Sequence, residues 1–218
     1  MKRLYIVVEG QTEQEFVNTM LRPWLNGSEI YDVTPVLIKT SKYGRGGLIN
    51  SQHLLNTIGG LLNETADNQL VVTTFIDFFR IPTNMPGYKN AMRKPNSVLQ
   101  VSALEEALSK AVNDWRFIPY IQRHEFEALV FSSNAGFKKY CDEVQAEKTA
   151  AIVDAFRNPE DINSSPETAP SKRLLALIPG YDKIIYGNAF ALEIGMDAIL
   201  KRCPRFASWV QELVRRCQ

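Results

Sequence analysis

Leu4-Tyr5-Ile6-Val7-Val8 is an unbroken run of aliphatic and aromatic residues, and Glu9-Gly10 ends it. A short run without polar alternation is the pattern of a strand buried on both faces. Thr12-Glu13-Gln14-Glu15 follows with capping-box spacing, which places Thr12 at an N-cap and Glu15 at N3. Phe16, Met20, Leu21 and Trp24 then recur at helical spacing, with Pro23 near the helix end. Strand, acid and helix in that order form the opening unit of an α/β protein.

The alternation continues along the chain. A second strand is predicted over residues 31–39, a Gly-rich loop over 40–47 and a helix over 48–62. Leu70-Val-Val-Thr-Thr-Phe-Ile76 is the clearest strand and stops on Asp77. A loop over residues 80–96 carries three prolines, Pro82, Pro86 and Pro95. A helix over 98–112, a fourth strand over 116–121 and a helix over 124–131 complete the series. Beyond residue 132 only helical periodicity remains, at Ala151, Ile152, Ala155 and Phe156, then Leu174, Leu175 and Leu177, then from Ile194 to Val214. Residues 158–170 are its most loop-like part. The pattern predicts an α/β core over 1–131, a parallel sheet of about four strands with helices on both faces. A helical C-terminal part over 132–218 packs on that core as one unit.

Composition narrows the function classes. A chain of 218 residues buries ~70% of its unfolded surface and needs no disulfide or structural metal to fold. With 45% hydrophobic and 22% charged residues it is neither disordered nor fibrous. Lys plus Arg is 25 and Asp plus Glu is 24, which excludes a histone-like polycation and an acidic tail protein. Three cysteines without C-x-x-C spacing and two histidines argue against a zinc site, and sparse cysteine suits a reducing compartment. The Leu4–Val8 run is too short for a signal-peptide core, and no later segment approaches the ~20 apolar residues of a membrane helix. The expectation is a soluble, cytoplasmic protein with no membrane partner.

Ligands of open α/β sheets bind at the carboxyl ends of the strands, where Glu9 and Asp77 fall. An acid after a strand can also be an ordinary turn former or helix cap. Charge distribution favours a site. Residues 39–63 contain no acid but carry Lys39, Lys42 and Arg45, and residues 78–104 contain no acid but carry Arg80, Lys89, Arg93 and Lys94. Carboxylates beside basic loops suit a divalent cation with a phosphate-bearing substrate. Glu125 and Glu127 follow the fourth strand and reach the same rim, with one of the two facing the site. His124-Glu125 lacks the second histidine of a zincin, since Ala128 holds that place. No dinucleotide fingerprint, P-loop or nucleophile elbow is present.

Val8-Glu9-Gly10-Gln11-Thr12-Glu13, ending a strand and opening a helix, resembles a TOPRIM-type domain. More closely, the chain resembles the bacterial family catalogued as domain of unknown function 4276. That likeness rests on Val8-Glu9-Gly10, Ile76-Asp77-Phe78-Phe79, Tyr120-Ile121-Gln122, His124-Glu125-Phe126-Glu127-Ala128-Leu129, Tyr186-Gly187 and Cys203-Pro204-Arg205-Phe206. The TOPRIM resemblance implies magnesium-dependent chemistry on nucleic-acid phosphodiesters, DNA or RNA, with Mg²⁺ or Mn²⁺ as cofactor. The family resemblance implies an ABC- or AAA-type ATPase partner encoded nearby and a setting in phage defence. The TOPRIM resemblance matches Glu9 to the catalytic Glu and Asp77 to the first metal-binding Asp, and Gly10, Glu13 and His124 lie inside the family's shared blocks. Phe79 stands where the second Asp would fall, and phenylalanine does not bind a hard cation. Either Glu125 or Glu127 supplies the missing acid, or the chain is a non-catalytic binding or sensor subunit that docks the ATPase. Lys42, Arg45, Arg80 and Lys89 would bind phosphates in the catalytic case.

Overall fold

The computed structural model describes residues 2–38, 48–66, 68–162 and 167–218. Lys39, Lys42 and Arg45 lie outside them, so those expectations have no structural counterpart. In chain order the elements are β1 (Arg3–Val8), α1 (Gln11–Phe16), a π-helical turn (Val17–Leu21) and α2 (Arg22–Asn26). Next come β2 (Val33–Leu37), α3 (Ser51–Leu62), β3 (Leu70–Asp77), α4 (Tyr88–Ala91) and α5 (Ser97–Val112). Two short strands, β4 (Phe117–Ile118) and β5 (Ile121–Gln122), precede a 3₁₀ helix at Phe126–Ser132. The helical remainder holds α6 (Ala135–Tyr140), α7 (Glu143–Ala155), α8 (Pro170–Leu177), α9 (Asn188–Ile194), α10 (Met196–Arg202) and α11 (Pro204–Cys217).

The sheet is parallel in the order β2-β1-β3-β4, and β5 also pairs with β3. Side-chain alternation sends Leu4, Ile6, Val8, Val71 and Phe75 to one face and Val7, Leu70, Val72 and Ile76 to the other. On the second face α3 contributes Leu54, Ile58 and Leu61, and α5 contributes Val101, Leu104 and Leu108. The first face is covered by Phe16, Met20 and Leu21 together with Phe190, Phe206 and Trp209 from the helical remainder. Each such side chain, fully buried, contributes about 1.5–3 kcal/mol. Phe206 and Trp209 are therefore core residues and not an exposed aromatic patch.

Several expected boundaries shift for physical reasons. Gly10, not Thr12, is the N-cap of α1, and Glu13 is its N3 residue; the Glu13 Oε2 accepts the Gly10 N–H at 2.9 Å. The fourth strand is split because Pro119, which has no N–H, interrupts the ladder between β4 and β5. The proline-rich loop contains the turn of helix α4. Its entry at Gly87 has φ +72, and a Cβ there would lie 2.5 Å from the Ala107 Cβ. The segment after His124 is a 3₁₀ helix that starts at Phe126, not an α-helix from 124.

Candidate functional site

The register Val8↔Phe75 brings the carboxyl ends of β1 and β3 level. Glu9 Oε2 accepts the Asp77 N–H at 3.3 Å, and Glu9 Oε1 accepts the Leu48 N–H at 3.0 Å. Asp77 Oδ1 accepts the Phe126 N–H at 2.9 Å, which ties the end of β3 to the start of the 3₁₀ helix. The two strand-end acids thus sit side by side on one rim, held by backbone donors.

Two further acids lie beneath them. Glu13 and Glu127 are each 1% exposed. Among the described residues, the cation facing this group is Lys183, from the π-helical turn Lys183–Gly187. Burial alone would lower the Lys183 ammonium pKa, but Glu13, Glu127, Asp77 and Glu9 outweigh it and hold the group above its usual range. Among the described residues, Lys183 thus offsets part of the charge of these four carboxylates. Burial and then Glu13, Glu9 and Glu127 push Asp77 well above the ordinary carboxylate range. Burial likewise raises Glu9, and Glu13 adds to it, while the Leu48 and Asp77 N–H groups pull it back. Glu127 is pushed to about 7, chiefly by burial, and Lys183 opposes this. Its Oε1 has no hydrogen-bond partner. The chemical meaning is a buried excess of negative charge, which is relieved by protons or by an added cation.

A cleft of about 510 Å³ opens over this rim. Glu9, Asp77, Glu125, Arg80, Lys172 and Lys183 form its charged lining, and Leu48, Ile49, Phe79 and Pro82 its apolar part. Glu125 is the one of the two late acids that reaches the cleft. Its carboxylate accepts the Ser171 N–H and the Ser171 Oγ–H, both at 2.9 Å, so it caps the start of α8. Glu127 instead joins the buried cluster. Arg80 lines the cleft, whereas Lys89 is exposed on α4 and does not. His124 is buried and also off the cleft; burial and the nearby Arg123 push its imidazole down to about 4. A larger cleft of about 730 Å³, between β2 and α3, holds one acid, Glu64, and no carboxylate cluster.

Lys183, Ser171 and Lys172 were not expected from the sequence. They come from the helical remainder, and no local pattern marks them. The only signal was the charge demand of the rim acids, which had to be met from elsewhere.

A divalent cation is implied by the TOPRIM resemblance. Among the described residues no three His, Cys, Asp or Glu side chains already stand at the spacing of a metal site. The donor chemistry does fit a hard cation: every candidate atom is a carboxylate oxygen, and the unpartnered Glu127 Oε1 is one of them. Among the described residues no helix is long and apolar enough to cross a membrane.

Residues 8–214 match the model of the family described as "Domain of unknown function (DUF4276)". No curated protein matches the chain. The chain is similar to two solved structures of the C-terminal region of the Xanthomonas campestris pv. campestris OLD protein, one phased with iodine and one with mercury. They align at TM-scores of 0.48 and 0.49 with 12% and 14% identity, covering 100% of this chain and 94% and 95% of theirs.

Proposed function

The chain belongs to the DUF4276 family, and for this member we propose a TOPRIM-like, metal-assisted phosphodiesterase that acts on nucleic acid. The observation that carries this reading is the rim cluster, in which Glu9 accepts the Asp77 N–H and both acids line a cleft edged by Arg80, Lys172 and Lys183. Glu9 and Asp77, with Glu127, are the residues that would hold Mg²⁺ or Mn²⁺. When bound, such an ion offsets charge on the phosphoryl oxygens and lowers the pKa of the attacking water.

The chain's own groups do the rest. Arg80 and Lys172 draw a phosphate to the cleft mouth and neutralise its charge. Lys183 places an ammonium beside the reacting oxygens. Glu9, which follows β1 on the rim and lines the cleft, either holds the ion or takes the proton from the attacking water. Glu125 fixes α8, and with it Ser171 and Lys172, against the rim.

The test is Mg²⁺- or Mn²⁺-dependent cleavage of DNA and RNA by wild type and by Glu9→Gln. Activity confined to wild type supports the reading, and equal activity in both sinks it.

Two observations favour a second reading, a non-catalytic binding or sensor subunit that docks an ATPase. Phe79 stands in the place of a second acid, and Lys183 already supplies a cation to the cluster. That reading predicts no stoichiometric Mn²⁺ binding. Binding that disappears in Asp77→Asn counts against it.

A further inference from the structure

Phe79 does more than fill the place of an acid. Its partly buried ring lines the cleft with Ile49, which is 78% exposed, beside charged lining residues. The Arg80 guanidinium lies over the Phe79 ring, 5.2 Å from its centroid. The backbone around the ring is strained into place. Arg80 has φ +61 and His124 has φ +68, both in the left-handed region that ordinary side chains avoid. The Phe79 N–H donates to the His124 carbonyl at 2.8 Å, which ties the ring-bearing residue to His124. Strain of this kind persists where the surroundings over-determine it, and it collects at functional sites.

An aromatic ring and a guanidinium plane beside phosphate-binding cations form a surface for a flat ring that carries a phosphate. We infer that Phe79 and Arg80 form a stacking platform for an unpaired nucleobase next to the phosphate seated over the rim acids, so that the cleft takes single-stranded nucleic acid. The inference rests on the phosphodiester reading above and specifies its substrate. A base in a duplex has its faces covered by its neighbours and cannot reach the platform. Stacking is indifferent to base identity, because every base has a π face. Phe79 is thus a binding residue that replaces a metal ligand with a substrate contact.

The experiment is anisotropy of a labelled ten-nucleotide single strand and of a duplex of the same sequence, in metal-free buffer with the full chain. Wild type should prefer the single strand. Phe79→Leu keeps an apolar side chain but removes the π face; it should weaken single-strand binding about tenfold and leave duplex binding unchanged, as expected for the loss of one stacked base. Phe79→Tyr, which restores the ring, should bind like wild type. Wild-type affinity in Phe79→Leu, or no single-strand preference in wild type, overturns the inference. Displacement by adenosine monophosphate at the oligonucleotide's own affinity would assign the platform to a free nucleotide and overturn it too. Cleavage is scored separately with Mn²⁺. Phe79-dependent binding without cleavage by wild type defeats the phosphodiesterase reading alone. Cleavage of both strand forms that is indifferent to Phe79→Leu defeats the platform alone.

Discussion

His124 shows how tightly the residues around the rim are constrained. It is buried, its backbone is left-handed, and its Nε2 has no hydrogen-bond partner. Burial first, and then Arg123, pushes its pKa from 6.5 to about 4. Between those values the unfolded chain binds more protons than the native one, so stability rises with pH. The contribution is complete above pH 6.5 and is lost as pH falls toward 4, about 3 kcal/mol in all. His124→Asn, which tolerates the left-handed backbone, should remove that dependence; denaturant melts of both proteins from pH 4 to 7 give the difference. Parallel curves would refute it. At this scale the sequence made Glu9 and Asp77 legible because each ends a run of buried strand residues. Lys183 and Ser171 were not legible, because their positions follow from how distant helices pack. The cap of α1 is hidden in the sequence for a local reason. A glycine N-cap offers no side chain to recognise, while Thr12 with Glu15 mimics the capping pattern.

Elements meet through carboxylates placed at helix starts. Glu160 accepts the Arg205 N–H at 2.8 Å and the Phe206 N–H at 3.1 Å, so it caps α11 from another segment. Glu160→Ala leaves both donors without that acceptor at the start of α11. The cost should be about 2–4 kcal/mol, read as a lower denaturation midpoint. A midpoint equal to wild type would show that the cap contributes nothing. The strands β1 and β3 were legible from continuous apolar runs, and the break between β4 and β5 is explained by Pro119 once the ladder is seen. The edge strand β2 carries Pro35, which an edge tolerates where a central strand does not. Phe126–Ser132 forms a 3₁₀ helix that the sequence does not separate from an α-helix, because seven consecutive buried residues show no period that distinguishes the two.

At the scale of the molecule, an aromatic cluster joins the sheet to the late helix α11. The Trp209 ring stacks on Tyr120 with centroids 4.4 Å apart, Phe75 stacks on Trp209 at 5.4 Å, and Phe16 packs edge-on against Phe126 at 5.2 Å. Trp209 Nε1 donates to Thr73 Oγ1 at 2.9 Å in the middle of the sheet. Trp209→Ala should therefore cost about 3–5 kcal/mol and lower a single cooperative transition. Two separate transitions would show that the sheet and the late helices unfold independently. The same packing carries Lys183, Ser171 and Lys172 to the rim, so the late helices supply part of the cleft. The net charge of +1 conceals this arrangement, because a buried excess of acid at the rim is balanced by basic residues spread elsewhere. The proposed cation-assisted phosphodiester chemistry of the rim is tested by cleavage of end-labelled single-stranded DNA and RNA by the purified full chain with Mn²⁺, with and without EDTA, for wild type and Asp77→Asn. Wild type should cut, EDTA should abolish cutting, and Asp77→Asn should not cut. No cutting by wild type, or cutting that survives in Asp77→Asn, would rule the proposal out.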